Sequence, residues 1–334
     1  MQKLCRSYLL CGYQALSLTQ GLLEILSVAE VPLAQPALAV ICPLGTRPIK
    51  ELRRASLLMM YEQRLHTNAV VASAVIRALT PSDRYAREEV LIRAYMTWLY
   101  TGMCSTREAG GMVADLAMLL LKHYHLLAAA QLLMRYGWLA FNLGHTRRLA
   151  ELAMRVLEQK WENSEENRCG ALLLRYFLVP FLGQKVDERQ KVVDYQHIRT
   201  AFLTGALSLH PSIEVAVVYT LMTSEMNALH FDEAQALYDE CYVRLQIQAI
   251  APPDLQGSLM EKQAWLWARW SEYVEELGDK AKALTLEEQA VALYREMVPL
   301  LTPTERCTPL EQRFLQKRLA RALNNLAYQL NRRG

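Results

Sequence analysis

From residue 131 to residue 334, apolar side chains recur three and four positions apart in blocks of about 12 to 20 residues, each closed by a short polar or proline-bearing break. No other feature constrains the fold more. An apolar stripe on a helix must be covered by another element, so a succession of such stripes can be buried only by packing helix on helix. The breaks are Val179-Pro180, His210-Pro211-Ser212, Ala251-Pro252-Pro253-Asp254 and Leu301-Thr302-Pro303-Thr304, and no run of alternating β-branched residues intervenes. Only 14 glycines and 12 prolines occur in 334 residues, of which 52% are hydrophobic. Few breakers among many helix formers predict a mostly α-helical chain with one large core or two smaller ones.

Charge and cysteine usage narrow the partners. The 37 lysines and arginines stand against 34 aspartates and glutamates, a net charge of +3 that is too even to point to nucleic acid or an acidic membrane. The seven cysteines, Cys5, Cys11, Cys42, Cys104, Cys169, Cys241 and Cys307, form no C-x-x-C pair. That pattern suits reduced, buried thiols in a cytoplasmic protein better than a disulfide framework or a zinc site. Lys3 and Arg6 precede an apolar run, but Gln14, Ser17, Thr19, Gln20 and Glu24 interrupt it. No stretch of about 18 uninterrupted apolar residues exists, so neither a secretion signal nor a membrane span is expected.

The helices pair, and the pairs repeat. The clearest unit runs from Leu266-Trp267-Ala268-Arg269-Trp270 through Glu276-Leu277-Gly278-Asp279 to Lys282-Ala283-Leu284 and Gln289-Ala290-Val291-Ala292-Leu293-Tyr294. It resembles the tetratricopeptide repeat, in which a large aromatic opens the first helix, a glycine ends it and small alanines let the second helix pack closely. Trp267, Trp270, Gly278, Ala283 and Ala290 match that pattern. A second copy is Ala228-Leu229-His230-Phe231-Asp232-Glu233-Ala234 with Leu237-Tyr238, where Leu229 stands in place of the turn glycine. A third joins Tyr136-Gly137, Asn142-Leu143-Gly144 and Leu149-Ala150; a fourth opens at Leu323-Asn324-Asn325-Leu326-Ala327-Tyr328 and reaches Arg333-Gly334. Turn positions 229, 278 and 334 are spaced by about 50 residues, against a minimal repeat of about 34. The long period and the Leu-Asn-Asn-Leu-Ala wording resemble the kinesin-light-chain type of the repeat. Residues 170–225 fit the pattern poorly and are expected to be helical only. In the last copy Leu323, Leu326, Ala327 and Leu330 are expected to form an uncovered apolar face, as in a window cut from a longer array or a surface for docking or self-association.

The first 80 residues differ. Helices are expected over 22–28, 32–41 and 49–55, then a hairpin from Ser56-Leu57-Leu58-Met59-Met60-Tyr61 through Glu62-Gln63 to Arg64-Leu65-His66, then a helix over 69–79. This is a winged-helix outline. The words Leu26-Ser27-Val28, Glu51-Leu52-Arg53-Arg54-Ala55-Ser56-Leu57-Leu58 and Arg64-Leu65-His66 resemble the winged-helix module of STAND signalling ATPases of the NB-ARC and MalT-like kind. In that family a P-loop ATPase domain precedes the winged helix and a helical-repeat sensor follows it. This sequence contains no G-x-x-x-x-G-K-[ST]. The resemblance covers about residues 16 to 100, and 130 to 334 through the repeats.

Candidate sites follow from both parts. The resemblance implies that His66, at the end of the hairpin, contacts the β-phosphate of ADP when a partner ATPase domain is present, an imidazole donating to a phosphate oxygen. The wording Leu65-His66-Thr67 departs from the Met-His-Asp of plant members. Lys50, Arg53 and Arg54 lie on the third helix, which in DNA-reading winged helices enters the major groove; Glu51 sits among them. In the repeats, Trp267 and Trp270 are expected in the core and Trp265 nearer the concave face. Asn324, Tyr328, Asn331 and Arg332 are expected to line a peptide-binding groove, since asparagine can both donate to and accept from an extended backbone. His123 and His125, two apart on an expected helix, diverge, and Gly110-Gly111 reads as a turn or helix start. No metal-ligand spacing and no nucleophile with a base at a recognisable spacing occurs.

These features together predict a mostly α protein. A small winged-helix-like domain is expected over 1–80, a helical connector over 81–130, and over 131–334 a right-handed α-α superhelix of tetratricopeptide-like repeats whose last repeat is incomplete. The expected role is a non-catalytic scaffold, without cofactor, that binds a protein or peptide as the sensor arm of a bacterial STAND-like signalling protein, with a P-loop ATPase domain in cis or trans as a further partner. The alternative is a winged-helix transcription regulator with a peptide-sensing repeat domain.

Overall fold

The computed structural model describes residues 17–29, 33–34, 47–61, 64–102, 104–158, 164–183, 185–206, 209, 211–247, 253–304 and 307–333. The chain is mostly helical, and it divides into two compact units, one formed by 1–129 and 136–155, the other by 130–135 and 156–334.

The first unit opens with α1 (Ser17–Val28), β1 (Leu33–Ala34) and α2 (Arg47–Arg54), followed by β2 (Leu58–Tyr61), β3 (Arg64–Thr67) and α3 (Ala69–Ala78). The expected hairpin forms: β2 pairs antiparallel with β3, Met59 opposite His66 and Met60 opposite Leu65. Its turn at Glu62 and Gln63 lies outside the described residues. The helix expected over 32–41 needs correction where it can be seen, because Leu33 and Ala34 are a strand paired antiparallel with Leu65 and Arg64. The sheet order is therefore β1-β3-β2. Pairing with β3 explains this: Leu33 stands opposite Leu65, and both are buried at 1% exposure. The Thr67 hydroxyl donates to the Leu26 carbonyl at 3.3 Å, tying β3 to α1.

Four longer helices complete the unit: α4 (Pro81–Tyr100), α5 (Thr106–Lys122), α6 (Leu126–Asn142), of which residues 130–135 count with the second unit, and α7 (Thr146–Glu158). A reciprocal capping box, Ser105 with Glu108, starts α5. Gly110 and Gly111 are not a turn but buried positions inside α5. A Cβ on Gly110 would stand 2.4 Å from Leu143 Cδ1 and 3.1 Å from the Leu139 carbonyl oxygen, so only glycine permits this approach of α5 to α6.

The second unit runs through α8 (Glu165–Leu173), a π-helical turn (Leu174–Leu178), a short α9 (Val179–Phe181), α10 (Glu188–Leu203), α11 (Pro211–Asn227), α12 (Phe231–Ile247), α13 (Pro253–Glu276), α14 (Lys280–Leu301) and α15 (Pro309–Arg333). Prolines begin α11, α13 and α15, where the missing N–H is an orphan donor in any case. Pro180 does not break the helix there. The ladder instead widens, with Val179 N–H bonded to the Leu174 carbonyl, a register that relieves the clash a proline ring makes with the carbonyl four residues back.

Helices α11 and α12 form one antiparallel pair and α13 and α14 another, with α15 packed on both α13 and α14. The turns that end α11 and α13 are alike. Leu229 N–H bonds Met226 O and His230 N–H bonds Glu225 O; Gly278 N–H bonds Glu275 O and Asp279 N–H bonds Val274 O. This paired closure requires a left-handed residue. Gly278 has φ 90° and Leu229, in the position expected of glycine, has φ 63°.

Two apolar clusters hold the pairs together. Ala264, Tyr294, Met297, Leu301, Leu315 and Ala322 join α13, α14 and α15, and Leu326 packs against them. Leu326 therefore leaves the uncovered face expected of α15, on which Leu323 and Leu330 remain exposed. Val274, Ala283 and Leu286 form the second cluster, with Trp267 and Trp270 packed against it as expected of core aromatics. Trp270 also stacks on Phe231 at 5.8 Å and 6°.

Candidate functional site

The first helices of successive pairs, α11, α13 and α15, are neighbours, since α13 touches both of the others. At mid-length α13 presents Glu261, Lys262 and Gln263, each only 1% exposed. Buried charges persist only when paired or bonded, and these are. Glu261 accepts from Arg318 Nη1 at 3.0 Å and sits 2.9 Å from Arg321 Nε, both on α15. Arg321 Nη2 in turn donates to the Tyr219 hydroxyl of α11 at 2.9 Å. Lys262 Nζ donates to Thr223 Oγ1 at 2.5 Å and lies 3.7 Å from the centre of the Trp265 ring and 4.1 Å from that of Tyr219. A polar ladder thus crosses three helices.

Burial pushes the Lys262 amine down to about 6; Glu261 opposes that shift and Arg321 adds to it. The ring faces beneath the amine favour its charged form, against the burial that favours the neutral one.

Beside this ladder is a cavity of about 540 Å³, a size suited to a small molecule or a few residues of peptide. Trp265 and Tyr294 line it from α13 and α14, and Asn324, Tyr328, Gln329 and Asn331 from α15. Asn324, Tyr328 and Asn331 are exposed, Tyr294 is buried, and Arg269 holds Glu272 at 2.9 Å on the rim. Tyr294 bonds Asn325, and burial, the larger influence, pushes its hydroxyl well above the ordinary tyrosine value. Gln329 is 4% exposed, and its Oε1 has no hydrogen-bond partner among the described residues. Among these lining groups it is the unfilled acceptor.

Trp265, Asn324, Tyr328 and Asn331, named from sequence, therefore meet in one cavity; the side chain of Arg332 lies outside the described residues. Sequence reasoning missed Glu261, Lys262, Tyr294 and Gln329. In the sequence Tyr294 is only the last residue of the clearest unit, and nothing in Glu261-Lys262-Gln263 distinguishes it from any other polar stretch of helix.

The other candidates belong to the first unit. His66 is half-buried on β3, its Nδ1 3.3 Å from the Thr67 carbonyl. Lys50, Arg53 and Arg54 are exposed on α2, while Glu51 among them bonds Arg47 and Thr19, both at 2.9 Å; the Arg47 bond first and the Thr19 bond second hold its carboxyl below the usual range. His123 and His125 do not diverge. Helix α5 ends at Lys122, and Tyr124 at φ 61° reverses the chain. His123 Nδ1 thereby comes to 2.9 Å from Glu89 and His125 Nε2 to 3.5 Å. Among the described residues no His, Cys, Asp and Glu cluster has the makings of a metal site. Burial pushes the Cys104 thiol up to about 12 and that of Cys169 to about 11, so both stay protonated. Cys5, Cys11 and Cys42 lie outside the described residues. No helix among the described residues is long and apolar enough to cross a membrane.

No family model and no curated protein matches the chain. Among solved structures it is similar to a signal transduction ATPase with numerous domains (STAND protein) with a tetratricopeptide repeat sensor, from Pyrococcus horikoshii. Sequence identity is 12% and the TM-score 0.28, over 86% of this chain and 53% of that one. The chain thus spans about half the length of that protein.

Proposed function

We propose that the chain is a helical-repeat scaffold that binds a protein or peptide at the cavity between α13, α14 and α15, and performs no chemistry of its own. The observation that carries this reading is the buried, unpaired Oε1 of Gln329. An acceptor left in that state costs about 1–3 kcal/mol, and a backbone N–H of an incoming peptide would satisfy it. The carboxamides of Asn324 and Asn331 beside it offer donors and acceptors to the same backbone, and Trp265 and Tyr328 supply apolar walls.

The order of parts extends the reading. A helix-and-hairpin unit whose wording resembles the STAND winged helix precedes tetratricopeptide-like repeats, which supports a sensor arm of a bacterial STAND-like signalling protein working in the cytoplasm with a P-loop ATPase domain in cis or trans. Ligand binding would bias an on/off equilibrium by its differential affinity for the two states. His66 would then be the nucleotide-sensing contact.

Selection of a displayed random peptide library on the full chain tests the binding claim. Peptides that bind the wild type are expected to be lost by Asn324→Ala and Tyr328→Ala. Gln329→Met, which removes the unfilled acceptor, is expected to weaken them while raising Tm by about 2–4 °C. An empty selection, or peptides indifferent to all three changes, would remove the reading.

A further inference from the structure

A second cavity of about 530 Å³ lies in the same unit, where the π-helical turn, α10, the end of α11 and the start of α12 meet. Lys191, Tyr195 and Arg199 stand four apart on one face of α10 and line it together with Tyr176, Glu225 and His230. The π-helical turn, a device concentrated at functional sites, carries Tyr176, whose hydroxyl is held by Ser224 at 2.9 Å.

The charges here do not balance bond for bond. Glu225 is 8% exposed and is met three times: by the Tyr195 hydroxyl, by His230 Nδ1 at 3.1 Å and by Arg199 Nε at 3.4 Å. Its acceptor capacity is answered. Arg199 is not satisfied in return, because its contact with Glu225 is ionic only and its Nε is buried with no hydrogen-bond partner among the described residues. Its two terminal nitrogens bond none of the described residues. Lys191 holds the exposed Glu188 and keeps further N–H groups. Besides Glu225, one further carboxylate, Glu233, lines the cavity. Donors therefore outnumber acceptors, and a guanidinium fork without hydrogen bonds is matched by a carboxylate or a phosphate.

We propose that this cavity binds a compact oxyanion, the carboxylate or phosphate group of a small organic ligand, held by Arg199 with Lys191, its body against the rings of Tyr176 and Tyr195. The site is separate from the cavity of Gln329 and stands or falls without it.

Calorimetric titration of the full chain with phenyl phosphate, benzoate and neutral benzyl alcohol at low salt tests the site. Saturable binding of one anion per chain is expected, with none of benzyl alcohol; whichever anion binds tighter identifies the source of the oxyanion. Arg199→Gln should weaken binding by about ten-fold or more. Because Arg199 also faces buried Glu225, Gln196→Glu is the second variant: Gln196 is exposed, bonds none of the described residues and lines the same cavity. A carboxylate there repels an anion without touching the core, and the same loss is expected. Arg295→Gln, exposed on α14 and lining neither cavity, should change nothing. Absence of saturable binding by both anions, equal binding of benzyl alcohol, or binding that survives Gln196→Glu would each overturn the proposal.

Discussion

Leu229 holds a backbone conformation, φ 63°, that costs an L-residue with a Cβ about 1–2 kcal/mol. Its side chain is 51% exposed, so little packing offsets that strain. Glycine at this position relieves it but has more freedom to lose on folding, about 0.5–1 kcal/mol. Leu229→Gly is therefore expected to stabilise the protein by about 0.5–1 kcal/mol, read from the denaturation midpoint. Lys262 shows the opposite kind of tension. An unfolded lysine has a pKa near 10.4 and the folded one about 6, so between these values the unfolded chain binds the extra proton. Stability thus rises with pH across that window, and the penalty is borne in full below about pH 6. Lys262→Met is expected to be more stable than the wild type, by the widest margin near pH 6, with the gap closing towards pH 10. Urea denaturation at three pH values measures this; a gap that does not change with pH would mean that the Tyr219 and Trp265 rings keep the amine charged in the fold.

Helix positions differ sharply in what a methyl group meets. Gly110→Ala places a Cβ against Leu143 and the Leu139 carbonyl, and the rigid carbonyl cannot yield, so a loss of about 1–3 kcal/mol is expected. Gly21→Ala in α1, with nothing within 4 Å, should instead gain about 0.5–1 kcal/mol from helix propensity; thermal denaturation of the pair separates packing from propensity. The same contrast explains what the sequence revealed of the elements. The proline-bearing breaks before α11 and α13 and the turn at Leu229 were legible, because local stereochemistry decides them; the start of α15 at Pro309 was not, since the wording of the last repeat opens only at Leu323. Gly110, read from the sequence as part of a turn or helix start, lies in the second turn of α5, for a reason that a neighbouring helix supplies. Pro180 announced a break, and the chain answered with a π-helical turn that no apolar periodicity encodes. Leu33 and Ala34 are too short a strand to show alternation, and only β3 makes them one.

Over the whole molecule, a mostly helical build was legible from composition and spacing alone. Trp265, Asn324, Tyr328 and Asn331, grouped from their places along two helices, line one cavity. Glu261 and Lys262 were not legible, since a buried polar residue looks the same as a solvated one until the partners from two other helices are known. Those partners also give Trp265 an unusual position: one part of the indole borders the cavity and an amine lies 3.7 Å from its ring centre. The excited indole has a larger dipole than the ground state, so a nearby charge that appears, disappears or moves shifts the colour of its emission. Trp265 is in this respect an optical electrometer built into the wall, and the difference spectrum against Trp265→Phe would register both the proton on Lys262 and the arrival of a ligand without any added dye.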